Sequence, residues 1–189
     1  MIAIQAHMRK QNGLTLVELM VTLAVAIILV AVGMPLFNSV ASNNRATAQA
    51  NTFLAAFKLA RSEAVRRATT VSVCAIADPA ANPVTCGSNT DWDNGALVFT
   101  DGGTAGSVDG TDERLRVFLI TTAGATAATS GSYVRFQSRG EVQNMTSNTA
   151  CSTSGTCFDL GHSGSTGSQS RCLYIMQSGQ VRLERATCS

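Results

Sequence analysis

The hydrophobic positions of this sequence follow three successive patterns, and the first is an almost continuous apolar run over residues 14–37. A run of about 20 apolar residues is long enough to cross a bilayer as a helix. Arg9 and Lys10 precede the run, and positive residues beside a membrane segment favour the cytoplasmic side. The pattern therefore predicts a transmembrane helix, with everything beyond residue 37 outside the cytoplasm.

The second pattern is amphipathic and covers the stretch after the apolar run. Apolar side chains recur at spacings of three and four, at Phe53, Leu54, Phe57, Ala60 and Ala64. This periodicity predicts one helix from about residue 14 to about residue 67, with its second half packed on the globular part. The basic residues of the other side are interpreted as a solvated helix face, supported by pairs such as Glu63 with Arg67.

The third pattern has a period of two and predicts strands at residues 71–76, 96–100, 115–121, 133–137, 171–177 and 180–185. Ser178-Gly179 is predicted to join the last two strands as a tight hairpin. Segments 101–112, 122–132 and 143–169 are rich in Gly, Ser and Thr and are predicted to be surface loops. The predicted fold class is α+β: a long N-terminal α-helical stem, transmembrane in its first half, packed on a mostly antiparallel β-sheet globular domain.

One charged residue, Glu18, lies within the apolar run. A carboxylate in the hydrocarbon core costs on the order of 3 kcal/mol, so its presence indicates a functional residue that needs a cationic partner. A cleaved secretory signal with a site at Ala46-Thr47-Ala48 is one alternative, but its apolar region would be shorter and uncharged. A plain membrane anchor is another, and it leaves Glu18 unexplained. Pro35 removes an amide donor and predicts a kink near residues 32–34.

The residues around this glutamate resemble a known processing signal. Lys10-Gln11-Asn12-Gly13 followed by Leu14-Thr15-Leu16-Val17-Glu18 is similar to the class III signal of type IV prepilins and type II secretion pseudopilins. The resemblance implies that a prepilin peptidase cleaves between Gly13 and Leu14 and that the new amine at Leu14 is methylated. It also implies assembly roles for Glu18 and Pro35. A carboxylate four residues along can neutralise the amine of an adjacent subunit inside a dry helical bundle.

The part of the sequence after the stem resembles a class of minor pilins and pseudopilins that includes GspH, FimU and FimT, and it is most similar to the FimU-like members. The resemblance is carried by residues 59–67, Val71-Ser72-Val73-Cys74, residues 92–99, Leu115-Arg116-Val117 and residues 178–182. The implied organisation is a leader peptide at 1–13, a transmembrane and filament-core helix at 14–37, an amphipathic helix at 38–68 and a β-rich domain at 69–189.

Six cysteines lie in the part predicted to be exported, where an oxidising compartment favours three disulfides. Sequential pairing is predicted, although six cysteines allow many other connectivities. The predicted pairs are Cys74 with Cys86, Cys151 with Cys157, and Cys172 with Cys188. No Cys-x-x-Cys spacing is present, so the sequence predicts no cysteine metal site.

Charge gives little support to nucleic-acid binding. The 14 basic and 12 acidic residues become balanced once Arg9 and Lys10 leave with the leader, so no bulk field attracts DNA. Arg171, Arg182 and Arg185 form one candidate DNA-contact patch, because FimT-like pilins carry a Gly-Arg-x-Arg motif at this position. The matching residues 179–182 lack the first arginine, and a solvated edge strand is the preferred interpretation.

Metal binding and catalysis receive even less support. Asp101, Asp109, Asp112 and Glu113 form a candidate calcium cluster in a Gly-rich loop, but their spacing differs from that of an EF-hand loop. A solvated loop is preferred, and no cofactor is predicted. His162 lies in a predicted Ser/Gly-rich loop with no identifiable nucleophile or orienting acid, which favours a non-enzymatic protein.

The resemblance implies a minor type IV pilin, a structural subunit of a filament-initiating or tip complex that supports pilus assembly, twitching motility, adhesion or DNA uptake. The implied partners are other minor pilins and the major pilin through the stem, the prepilin peptidase, and the inner membrane before assembly; DNA is not favoured. The implied location is the bacterial inner membrane, with the domain in the periplasm, and then a pilus or pseudopilus. A GspH-like pseudopilin of a type II secretion system, a FimT-like DNA-binding pilin and a periplasmic enzyme stay open as alternatives.

Overall fold

The computed structural model describes residues 15–121, 124–143, 155–162, 170–185 and 188, with residues 32–39 and 162 described by their backbone alone. The chain divides into two structural units, with the boundary between Asn38 and Ser39.

One helix, α1 (Leu16–Arg67), forms the N-terminal part of the described chain. Thr15 begins it, because Thr15 Oγ1 accepts a hydrogen bond from the Glu18 amide at 3.3 Å and so satisfies a free donor of the first turn. The helix ends where Ala68 takes a left-handed φ of 53° and the Thr69 amide donates to the Ala64 carbonyl at 3.2 Å. The C-terminal end of α1 is the predicted one.

The assignment of α1 is continuous through Pro35. The kink predicted near residues 32–34 stays a prediction. Within the described residues, no helix combines the length and the apolar character that crossing a membrane requires. The transmembrane assignment of residues 14–37 likewise stays a prediction.

The strands form two antiparallel sheets of four strands each. The strands are β1 (Val71–Ala75), β2 (Gly95–Thr100), β3 (Arg114–Leu119), β4 (Ala125–Ala128), β5 (Tyr133–Phe136), β6 (Gly155–His162), β7 (Arg171–Met176) and β8 (Val181–Glu184). The first sheet has the order β3-β2-β1-β5 and the second β4-β6-β7-β8. All six predicted strands are present, and the antiparallel α+β fold class is confirmed.

Two of the predicted loops contain strands, and this part of the prediction is wrong. β4 lies in segment 122–132, and β6 lies in segment 143–169, so the domain has two sheets instead of one. β4 has the sequence Ala-Thr-Ala-Ala, which carries little strand propensity, and its pairing with β6 stabilises it. His162 is the last residue of β6, paired with Ala125, and is not a loop residue.

The hairpin predicted at Ser178-Gly179 joins β7 and β8. The Gly179 amide donates to the Met176 carbonyl at 2.8 Å, and the Met176 amide donates to the Gln180 carbonyl at 2.9 Å. Gly179 has a φ of 75°, in the left-handed region that favours glycine. A Cβ at this position would lie 1.9 Å from the Gly140 carbonyl oxygen, so the close approach of the two backbones also requires glycine.

The second half of α1 packs against both sheets, as its amphipathic pattern predicts. Phe53 and Phe57 of α1 meet Phe158 of β6 and Trp92, which lies in a short 3-10 helix at Asp91–Asn94. The rings of Trp92 and Phe158 are edge-to-face with centroids 4.8 Å apart. Each such fully buried side chain stabilises the fold by about 2 kcal/mol. Small buried residues of α1 bring its backbone close to the sheets, namely Ala50, Ala56, Ala60 and Ala64.

The two central strands of the first sheet, β1 and β2, are buried on both faces, whereas the edge strand β3 is largely exposed. Cys74, Ile76, Leu97 and Phe99 form a second, smaller core on the face away from α1. The covering side chains come from the loops before β2 and before β3 and from the start of β5, and a disulfide from Cys74 to Cys86 ties the first of these loops to β1.

Candidate functional site: assembly surfaces

The first half of α1 presents a continuous exposed apolar surface. Every described side chain from residue 16 to residue 31 is exposed, with Leu16 at 74% and Leu29 at 68%. Contiguous apolar surface of this extent indicates contact with a membrane or with other proteins.

Glu18 is the one carboxylate on this surface, and its carboxylate has no hydrogen-bond or ion-pair partner among the described residues. Gly13 and Leu14, the predicted processing residues, lie outside the described residues. Pro35 lies within the helical backbone of α1, and its side chain is outside the described part. The predicted pairing of Glu18 with a neighbour's Leu14 amine therefore stays a prediction.

Arg171, one residue of the candidate DNA-contact patch, is buried at the contact between β7 and α1. Its side chain is 2% exposed. The guanidinium donates to Asn43 Oδ1, to Thr47 Oγ1 at 3.1 Å and to the Ser170 carbonyl at 2.9 Å. Burial, followed by the charge of Arg185, lowers the pKa of Arg171. Arg171 is thus an anchor between helix and sheet, whereas Arg182 and Arg185 are exposed.

A network of ion pairs at the end of α1 connects the helix to Glu113, the residue before β3. Glu63 accepts hydrogen bonds from Arg66 at 2.5 Å and from Arg67 at 2.7 Å, and Arg67 also pairs with Glu113 at 2.6 Å. The hydrogen bonds from Arg66 and Arg67 lower the pKa of Glu63. The predicted pairing of Glu63 with Arg67 is confirmed.

The four candidate calcium ligands do not converge. Asp109 accepts from the Thr104 amide at 2.9 Å, which lowers its pKa, and Asp112 accepts from the Gly102 amide at 2.9 Å. Glu113 pairs with Arg67. Among the described residues, these acids do not bring three ligand atoms together. The carboxylates instead hold the turns of their own loop.

Asp101 is fully buried and has a structural role. Its carboxylate accepts hydrogen bonds from Ser72 Oγ and from the Gly106 amide at 2.9 Å, and it lies 3.5 Å from Arg135 Nε. All three contacts are made by Oδ2, and the nearby arginine offsets the negative charge of this buried carboxylate.

Two of the three predicted disulfides are present, Cys74–Cys86 and Cys172–Cys188. Cys157 is also in a disulfide, and its predicted partner Cys151 lies outside the described residues. The sulfurs of Cys157, Cys172 and Cys188 lie within 4.8 Å of one another. Because all three are oxidised, they offer no thiolate for a metal ion.

A groove of about 780 Å³ lies between α1 and the β7–β8 hairpin. The hairpin wall is formed by residues 179–182. Arg61 of α1 donates a hydrogen bond to the Ser178 carbonyl of the hairpin at 3.0 Å and so connects the two sides of the groove. Lys58, Arg66 and Arg182 add three further cations, and none of the described acidic side chains lines the groove. The helix wall is a single stripe at spacings of three and four, made of Lys58, Arg61, Ser62, Val65 and Arg66.

Sequence reasoning did not identify this basic groove. It placed the basic residues of α1 on a solvated face and Arg182 on a separate edge strand. The stripe spacing within α1 is visible in the sequence. Its juxtaposition with the hairpin is not, because Arg61 and Ser178 are 117 residues apart.

Comparisons with known proteins identify two related families. Residues 49–179 match the family described as "Type II transport protein GspH", and residues 8–34 match the "Prokaryotic N-terminal methylation motif". Comparison with curated proteins gives no match.

Two crystal structures of the type IV minor pilin FimU from Pseudomonas aeruginosa are similar to this chain at 23% sequence identity. One crystal form covers 77% of this chain and 96% of the FimU chain with a TM-score of 0.56. The other covers 76% and 99% with a TM-score of 0.52. At this identity the likeness concerns the fold, a long helix packed on antiparallel sheets.

Proposed function

Because the chain belongs to the GspH family of minor pilins and pseudopilins, which are structural and non-enzymatic proteins, we propose that it is a minor type IV pilin. In this role it is a subunit of the complex that initiates the filament and stays at the tip. It thereby supports pilus assembly and, through the pilus, twitching motility, adhesion or DNA uptake.

The observation that carries this proposal is the exposed apolar half of α1 with its single carboxylate. Before assembly, residues 14–37 lie in the inner membrane with the domain in the periplasm. Cleavage between Gly13 and Leu14 leaves a positive, methylated amine. In the filament, Glu18 pairs with the amine of a neighbouring subunit. Either charge alone would be costly in a dry helical bundle, and the attraction between the two offsets this cost.

Replacement of Glu18 tests the proposal in cells that carry the full-length gene. Glu18→Ala should reduce recovery of the protein in sheared pili by about tenfold or more, because the neighbour's amine would stay buried without its partner. Thr22→Val is the matched control, since Thr22 lies one turn further along the same exposed helix and its hydroxyl donates only to the Leu19 carbonyl at 2.9 Å.

Mass spectrometry of the mature protein provides the second measurement. The N-terminal residue should be a methylated Leu14. A different N-terminus, or unchanged incorporation of Glu18→Ala into fibres, would contradict the proposal.

A GspH-like pseudopilin of a type II secretion system is the second candidate, and the GspH family match favours it. Deletion of the gene separates the two roles. Loss of surface pili with normal secretion of exoproteins supports the pilin, and loss of secretion with normal pili supports the pseudopilin. A FimT-like DNA-binding role has less support, because the buried Arg171 leaves only Arg182 and Arg185 of its candidate patch.

A further inference from the structure

The basic groove between α1 and the β7–β8 hairpin has cations that the fold itself does not use. The side chains of Lys58 and Arg182 are exposed and form no hydrogen bond or ion pair with any described residue. Arg66 is partly neutralised by Glu63. Long cationic side chains on opposite walls of one groove repel each other, so their shared position is explained best by a negatively charged occupant.

The groove also offers apolar surface between these cations. Val65 is 52% exposed on the helix wall, and Val181 is half-buried on the hairpin wall. The methylene chains of Lys58 and Arg61 extend this apolar surface. An occupant that fits both features carries carboxylates beside an apolar side chain.

We propose that the groove docks an acidic segment of a neighbouring filament subunit, one in which carboxylates flank an apolar side chain. This inference rests on the proposed function, which supplies neighbouring subunits. The carboxylates pair with Lys58 and Arg182, and the apolar side chain covers Val65. This contact would select which subunit lies beside this one in the tip complex, whereas the packing of apolar stems is non-specific.

Nucleic acid fits the groove less well. A phosphate backbone gains affinity from several cations along an extended track, whereas the cations here are confined to one short groove. Residues 70–189 contain more acidic than basic side chains. The exposed Val65 would also have no partner on a phosphate backbone.

A second copy of this chain is also a weaker candidate. The acids of the loop before β3 are already used within their own subunit. Asp109 and Asp112 accept hydrogen bonds from loop amides, and Glu113 pairs with Arg67. The occupant is therefore assigned to a different subunit.

Fluorescence anisotropy of the purified full-length protein tests the groove without requiring filament assembly. The probe is a short labelled peptide in which glutamates alternate with leucines. We expect salt-sensitive binding, and binding about tenfold weaker for Lys58→Glu combined with Arg182→Glu. Neither residue has an intramolecular partner among those described, so the variant should keep the wild-type unfolding temperature. Arg116→Glu is the control for charge reversal outside the groove, since Arg116 is exposed on β3, with its guanidinium 5.1 Å from the centre of the Phe118 ring.

Two further measurements distinguish an acidic peptide from nucleic acid or a second copy as the occupant of the groove. Val65→Ser should weaken binding of the glutamate–leucine peptide several-fold and leave binding of a glutamate–serine peptide unchanged. A labelled DNA duplex should bind more weakly than the peptide. Absence of peptide binding, equal binding by the charge-reversed variant, or tighter DNA binding that the variant loses would overturn the proposal. Self-association that the variant abolishes would also overturn it, by assigning the groove to a second copy.

Failure of this inference is distinguishable from failure of the proposed function. The groove is tested by peptide affinity, and the pilin role is tested by the mature N-terminus and by Glu18→Ala. In cells, the charge-reversed protein should be processed normally and yet be recovered with less of its co-subunits. Normal recovery of the co-subunits would count against the groove alone.

Discussion

Arg171 links β7 to α1 through a guanidinium that is almost fully buried, so its removal should affect the stability of the domain. Arg171→Leu should lower the free energy of unfolding by about 2–3 kcal/mol, because Asn43 and Thr47 would lose their partner in a partly buried position. Arg182→Leu, an exposed control, should change it by less than about 0.5 kcal/mol. Denaturant unfolding of both variants measures this difference, and equal effects would contradict the anchor role.

The same residue shows what a sequence can and cannot reveal about a site. Alternation along β7 assigns side chains to faces of a strand, but it does not tell which face a helix will cover. Arg171 therefore looked like the exposed arginines that follow it. Glu18, in contrast, was identifiable from sequence, because a lone acid within an apolar run is costly in any fold.

At the level of elements, Glu63 stabilises the last turns of α1, and Arg67 extends the network to Glu113, directly before β3. The pKa of Glu63 is lowered from its ordinary value of 4.5, so its ion pairs stabilise the fold above that pH and are lost as the pH falls through the lower folded-state pKa. Glu63→Gln should therefore reduce the unfolding temperature at about pH 7 and have a smaller effect at a pH well below 4.5.

The control for this pH dependence is Glu184→Gln, at an exposed acid on β8 without an ion pair among the described residues. It should leave the unfolding temperature nearly unchanged at both pH values. A Glu63→Gln effect that persists at the lower pH would show that the side chain acts by packing and not by its charge.

The strands that were predictable from sequence are those with a local signal. β1, β2, β3, β5, β7 and β8 each contain β-branched or aromatic residues. β4 and β6 were missed, because β4 is Ala-Thr-Ala-Ala and the short alternation of β6 lies among Gly, Ser and Thr. Division into two sheets depends on pairings between distant segments, such as β4 with β6, which no local pattern specifies.

Across the whole molecule, disulfides supplement a core built largely from small residues. Cys74–Cys86 ties a loop over the first sheet, and Cys172–Cys188 ties the C-terminal residues to β7. Replacing either pair with alanines should lower the free energy of unfolding by about 3 kcal/mol, because each bond restricts the unfolded chain. Denaturant unfolding of the two double variants measures the loss.

The two double variants should also differ in where the structure loosens. Hydrogen exchange should accelerate in residues 77–90 when the first pair is removed, and in β7 and β8 when the second is removed. Unchanged unfolding free energy in either variant would show that the bond contributes nothing beyond the packing around it.

Trp92 gives this molecule an intrinsic optical probe. It is the single tryptophan of the chain, it is fully shielded from water, and it touches the phenylalanines of α1 and β6 while its indole nitrogen donates to the Gly131 carbonyl. An indole in such surroundings emits at a shorter wavelength than one in water. The wavelength of its fluorescence maximum therefore reports whether α1 is still packed against both sheets, and the measurement needs no added label.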